Sequence, residues 1–258
     1  MNSDTEEYDY PDKHDYEAVL EFYRENPRLL TFDPDDWDDR SQAHWAELAN
    51  AHISLGDLPE AVRCLERSAE IWRLSHEPDG VALREIWAAV QFLMGNVGRA
   101  IAFHRDKLEG IRNRRIKWTD GRGDAGTALM LMYYAERAGD AENLEYAIEF
   151  IRKLRKTLAG SISMHAIGEL SEQDMLMDRW KVSDWDSALG IAPKTVWERS
   201  LLQTASFGAA LARGRAGDSA GRGEMVKYCA MIEPVYSSEW FLARRECSMP
   251  FRWRRREN

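Results

Sequence analysis

Cysteine is scarce in this chain. Three residues, Cys64, Cys229 and Cys247, are spread over 258 positions. An odd number without a CxxC spacing excludes a disulfide framework and a cysteine-based zinc knuckle. Long apolar runs are missing too. None approaches eighteen residues, so no membrane span is expected. The first residues, Met1 to Glu7, are acidic and have no apolar stretch, so no secretory signal is expected. Together these absences make a reducing, cytoplasmic location the expectation. No segment keeps a period-two alternation, which removes the usual strand signal.

The signatures of chemistry are absent as well. The six histidines, His14, His44, His52, His76, His104 and His165, form neither HxxxH nor HExxH. His44 and His52 are two helical turns apart and share a face, too far to hold one metal unaided. All six read as packing or surface residues. There is no GxSxG, and Cys64 reads as a small buried residue. The glycine-rich stretches 120–124 and 216–223 lack the preceding strand and following Lys-Ser/Thr of a phosphate cradle, so they read as interhelical loops. The expectation is no enzyme, with no catalytic, cofactor-binding or metal-binding residues.

Charge and aromatics remain. Ten Trp, 44% hydrophobic and 31% charged residues describe a globular, soluble chain. The net charge of −9 is unevenly spread. Residues 1–40 hold fourteen acids against four bases, while the remainder is almost neutral. The densest part contains Asp33, Asp35, Asp36, Trp37, Asp38 and Asp39. A calcium loop needs a central glycine and unbroken alternation of ligands. Here the glycine is missing and Trp37 interrupts. The stretch is a solvated loop or a contact surface for a basic partner. At the other end, Arg244, Arg245, Arg252, Arg254, Arg255 and Arg256 form a basic tail. It could touch nucleic acid or acidic lipid, or fold back on the acidic leader. Nucleic acid is not the expected partner.

A repeated turn supplies the architecture. Gly56-Asp57, Gly95-Asn96, Gly139-Asp140 and Gly217-Asp218 each lie between two helix-like segments. The glycine can end a helix in the left-handed conformation. The following Asp or Asn can cap the next helix. Three spacings of 39, 44 and 78 imply one degenerate unit, with its turn near Lys181-Val182-Ser183-Asp184. Thr195 to Glu198 reads as a capping box opening a long helix through Arg213. Ser171 to Asp174 reads as a weaker helix start, and Asp79-Gly80 precedes an apolar-periodic run. A short helix is expected over 15–25.

The first unit carries Trp45, Leu48, Ala49, His52, Gly56, Ala61, Leu65 and Ser68. It resembles the tetratricopeptide repeat, with His52 and Ser68 as departures. The second unit keeps Gly95 and Ala100, and the likeness then fades. The resemblance implies an all-α fold, a right-handed stack of antiparallel helical hairpins (an α-solenoid) that degenerates toward the C-terminus. The expected division is an acidic segment 1–40, hairpins over 41–158, and a degenerate part 159–258, irregular around 159–194. In that family the first helix of each pair lines a concave groove that binds a peptide or protein. Carried over, the groove residues are Asn50, Glu85, Tyr133, Glu136 and Arg137. Irregular repeats with a concentrated acidic end also resemble an immunity protein of a bacterial toxin system. That likeness implies a basic toxin domain as partner. An adaptor or chaperone binding a peptide tail is the alternative, and a helical enzyme with converging carboxylates or histidines in a deep polar pocket is the third.

Overall fold

The computed structural model describes residues 10–34, 40–75, 85–113, 122–158 and 169–253. Within them the chain is all-helical: twelve α-helices and one 3-10 turn, with no strand among the described residues. The helices are α1 (Tyr16–Glu25), α2 (Ser41–Leu55), α3 (Leu58–Ser75), α4 (Glu85–Leu93), α5 (Val97–Arg112) and α6 (Arg122–Ala138). They continue as α7 (Ala141–Leu158), α8 (Glu169–Trp180), α9 (Trp185–Leu189), α10 (Val196–Arg215), α11 (Ser219–Met231) and α12 (Ser238–Glu246).

The turns form for the local reason expected. Gly56, Gly95, Gly139 and Gly217 all have left-handed φ, from 67° to 87°. Asp57, Asp140 and Asp218 then accept from backbone amides three residues on, those of Glu60, Asn143 and Gly221. Asn96 departs from the pattern. Its amide donates back to Gln91 Oε1 at 2.9 Å instead of capping α5. The degenerate turn is also present: Lys181 takes the left-handed conformation itself, and Asp184 caps α9 through the Ser187 amide at 2.7 Å. Asp79-Gly80 lies outside the described residues.

By compactness the chain divides after Glu77 and again before Arg252. The first unit contains α1, α2, α3 and the segment from Arg252 onward. Tyr16, Val19 and Tyr23 recur at helical spacing and make one buried face of α1, which packs against α2. α2 packs against α3. Ser68 donates to the Gln42 carbonyl at 2.9 Å and so ties the two helices together. The basic tail begins by folding back. Arg252 pairs with Glu17 at 2.9 Å, and the Trp253 amide donates to Tyr16 Oη at 3.0 Å.

The second unit runs from Pro78 to Phe251. α4 packs on α5, α5 on α6 and α6 on α7. The segment expected to be irregular around 159–194 is largely helical where described. α8 is already under way at Ser171, and it packs against α10. The reason is tertiary: Leu176 is fully buried in a cluster with Leu201, Leu202 and Ile232, a contact no repeat pattern announces. Arg244, counted above with the basic tail, is a core residue. It is 8% exposed, donates to the Ala230 carbonyl at 3.0 Å and lies 4.8 Å from the Trp240 ring centroid.

The capping box at Thr195 and Glu198 is present, and Glu198 does more than cap. Its carboxylate accepts from the Lys194 amide at 2.7 Å, the Thr195 amide at 3.1 Å and the Arg179 guanidinium. The Arg179 bond, followed by the Lys194 amide, holds its pKa down at about 2. A depressed carboxyl stabilises the fold above its unfolded value, about 4.3. That stability fades as pH falls from there through about 2. Glu198→Gln is therefore expected to flatten this part of the acid-unfolding curve. An unchanged slope between pH 4.5 and 2 in the variant would remove Glu198 from the acid response.

Candidate functional site

Two regions bear the predicted interaction residues. The first is the acidic segment. Asp33 is exposed just after the 3-10 turn Pro27–Leu30. Asp35, Asp36, Trp37, Asp38 and Asp39 lie outside the described residues. Behind Asp33, Trp45 Nε1 donates to the Leu30 carbonyl at 2.9 Å, which pins the segment to α2. Asn50, half-buried, is on the same helix.

The second region is the face expected to be a groove, and the structure treats its residues unequally. Tyr133 is a core residue, 2% exposed. Its ring packs on Phe92, Tyr134 and Phe207, so the chain's own α10 covers it. Glu136 and Arg137 are exposed on α6, but both are engaged within the unit. Glu136 accepts from Arg215 at 3.3 Å. Arg137 and Arg222 converge on Glu246, whose side chain is 12% exposed. α12 also packs on α4. Much of the face contributed by α4 and α6 is thus occupied in cis by α10 and α12.

What these helices leave partly exposed is Glu85, with a polar surround. The Glu85 side chain keeps 32% of its surface accessible, although its neighbours Ile86, Trp87, His104, Thr127 and Tyr134 are all buried. Lys107 Nζ donates to Glu85 Oε1 at 2.7 Å, and the Thr127 hydroxyl donates to the same oxygen at 2.5 Å. Neither bond uses Oε2. Three elements supply this arrangement: the first residue of α4, the middle of α5 and the first part of α6.

The electrostatics separate two carboxyls. Burial pushes Glu85 up, but Lys107, His104 and the two hydrogen bonds outweigh it and leave its pKa below the ordinary value. Glu239, at the start of α12, goes the other way. Burial raises it, the charge on Glu85 adds to this, and a bond from Thr204 at 3.2 Å offsets only part. His104 is fully buried, and among the described residues neither ring nitrogen has a hydrogen-bond partner. Burial holds its pKa down at about 4, although Glu85 works against this. The Tyr134 hydroxyl is likewise buried and unpartnered.

Of this set, only Glu85 was indicated by sequence. His104, expected to be a packing or surface residue, is indeed packed, between Phe103 and Tyr134. Its alignment with Glu85 and Lys107 had no sequence signal, because it depends on α4 and α5 meeting. Glu239 is remote in sequence and sits in a helix that no repeat predicted. Comparison of the chain with protein-family models, with curated proteins and with solved structures finds no match.

Proposed function

We propose that the chain is a protein-binding module that inhibits a basic partner, of the kind an immunity protein holds in check, by docking on the partner's active cleft. The observation that supports this reading is the concentration of charge: fourteen acids and four bases in residues 1–40, against a nearly neutral remainder. In this reading a tetratricopeptide-like solenoid is the scaffold and the acidic segment is the contact. Occupation of α4 and α6 by α10 and α12 favours the segment over an open peptide groove, and so favours a dedicated inhibitor over an adaptor.

Clustered charge of one sign steers encounter with a partner of the other sign, and salt screens it. Binding to the partner, sought first in the product of the adjacent gene, is therefore expected to be stoichiometric. Its association rate should fall at least about tenfold between low and high salt. Replacing Asp35, Asp36, Asp38 and Asp39 by Asn should remove most of that dependence. An association rate indifferent to salt, measured by stopped flow, would rule out the steering role.

One observation favours a second reading. Two carboxyls coupled through their charge, Glu85 pushed down and Glu239 pushed up, form the kind of pair that acid–base catalysis uses. Under this reading the chain is a helical enzyme. The readings separate in a titration of partner activity. An occluding inhibitor reaches its end point at one equivalent, whereas an enzyme protects well below one equivalent and loses that ability in Glu85→Gln.

A further inference from the structure

The first hairpin turn brings together three side chains of types that bind transition metals. His52 is in the last turn of α2. Glu60 and Cys64 are four residues apart on α3, hence on one face. The turn between them is tightly set. The Gly56 amide donates to the Ile53 carbonyl at 3.0 Å, and the Asp57 amide donates to the His52 carbonyl at 2.9 Å. That closure lays the imidazole against the start of α3. One donor atom from each of His52, Glu60 and Cys64 lies within 4.8 Å of the others.

Among the described residues, nothing consumes these donors fully. Cys64 is a free, fully buried thiol. His52 Nδ1 is buried without a hydrogen bond of proper geometry, although Asp57 Oδ2 stands 3.5 Å away. Glu60 pairs with Arg63 through Oε2, which leaves its other oxygen. Asp57 is held beside them, accepting the Glu60 amide on Oδ1 at 3.4 Å. Burial, with Glu60 adding to it, pushes the Cys64 thiol up to about 12. The thiol is therefore protonated and inert unless a cation displaces its proton.

We propose that His52, Glu60 and Cys64 form a binding site for one zinc-class divalent cation, with Asp57 as the neighbouring carboxylate that orients His52. A mixed S, N, O donor set suits a borderline-soft ion that accepts tetrahedral geometry. Zinc–ligand bonds of about 2.0–2.3 Å imply donor separations of about 3.5 Å. Side-chain rotations that draw each donor pair in by up to about 1.3 Å close the present spacing. Binding breaks the S–H bond of Cys64, forms a sulfur–metal bond and releases one proton to solvent, while His52 binds neutral and Glu60 as carboxylate. Affinity therefore rises with pH. The ion would clip the end of α2 to the start of α3 across the Gly56 turn. This site is independent of the proposed inhibitory function.

The test is titration of the full chain, first stripped with a chelator, with Co²⁺ as a spectroscopic probe. One equivalent should produce a thiolate-to-cobalt charge-transfer band and the visible bands of tetrahedral cobalt, and added Zn²⁺ should abolish both. Cys64→Ser should lose the charge-transfer band, whereas Cys229→Ser and Cys247→Ser should keep it. His52→Asn and Glu60→Gln, both outside the core, should weaken binding while leaving the apo helical circular-dichroism spectrum unchanged. Asp57→Asn, which retains the cap, should weaken it by about 10- to 100-fold. Zn²⁺ should raise the melting temperature of the natural chain and not that of His52→Asn. Absence of the charge-transfer band, its survival in Cys64→Ser, or equal Co²⁺ affinity in His52→Asn and the natural chain would each overturn the site.

Discussion

His104→Phe is expected to resist acid better than the natural chain. His104 has no exposed surface and, among the described residues, no hydrogen-bond partner. Its folded pKa is held at about 4, against an ordinary value of 6.5, by burial. The unfolded chain therefore takes up a proton below about 6.5 that the folded chain refuses. The sign follows from proton count. More protons bind the unfolded state, so stability falls as pH drops from about 6.5 to about 4. At 1.36 kcal/mol per unit, the difference corresponds to about 3 kcal/mol, a large share of a typical domain's stability. Phenylalanine cannot take the proton and packs similarly between Phe103 and Tyr134. It also removes two unsatisfied polar atoms, so it should not be destabilising at neutral pH. Urea midpoints at pH 7.5 and 4.5 provide the check. A variant whose midpoint falls with acid as steeply as the natural chain's would show that His104 is not the linked group.

The largest single loss of stability is expected from Trp240→Ala, at about 3–5 kcal/mol. Trp240 is fully buried. Its Nε1 donates to the Ile232 carbonyl at 3.0 Å. Its ring meets Phe241 edge-on at 5.0 Å and supports the Arg244 guanidinium. Removal leaves a large cavity, an unpaired carbonyl and a buried arginine without its aromatic seat. Because α12 also carries Glu239 and Glu246, the loss should reach the bonds that these two carboxylates make. Trp240→Phe, which keeps the ring volume nearer to native and loses only the donor, should cost markedly less. Chemical denaturation of the three proteins measures the ranking, and equal losses in both variants would mean that the hydrogen bond, not packing, dominates.

The candidate site was only partly legible in sequence. Glu85 is indicated by sequence only as a groove residue carried over from the repeat resemblance. Tyr133 was assigned to a lining position by the same carry-over, and it is core, because Phe207 arrives from a helix that the repeat pattern does not describe. Glu136 and Arg137 are exposed on α6, but their partners Arg215 and Glu246 come from α10 and α12. The segment 159–194 looked irregular because its helices lack glycine turns of the common kind. Among its described residues the left-handed one is Lys181, and a pattern keyed on glycine does not see it.

By itself the sequence determined the helical hairpin turns, most of the caps and the uneven charge. Each rests on rules acting within a few residues: a left-handed glycine, an Asp three residues before an amide, a count of acids. Only the tertiary structure decided what covers α4 and α6, why burial holds the His104 pKa down, and where Glu246 is neutralised. Those depend on groups far apart in the chain, such as Glu85 with Thr127 at a separation of 42 and Arg137 with Glu246 at 109. A helical period tells which face a residue occupies, but not which distant helix meets that face.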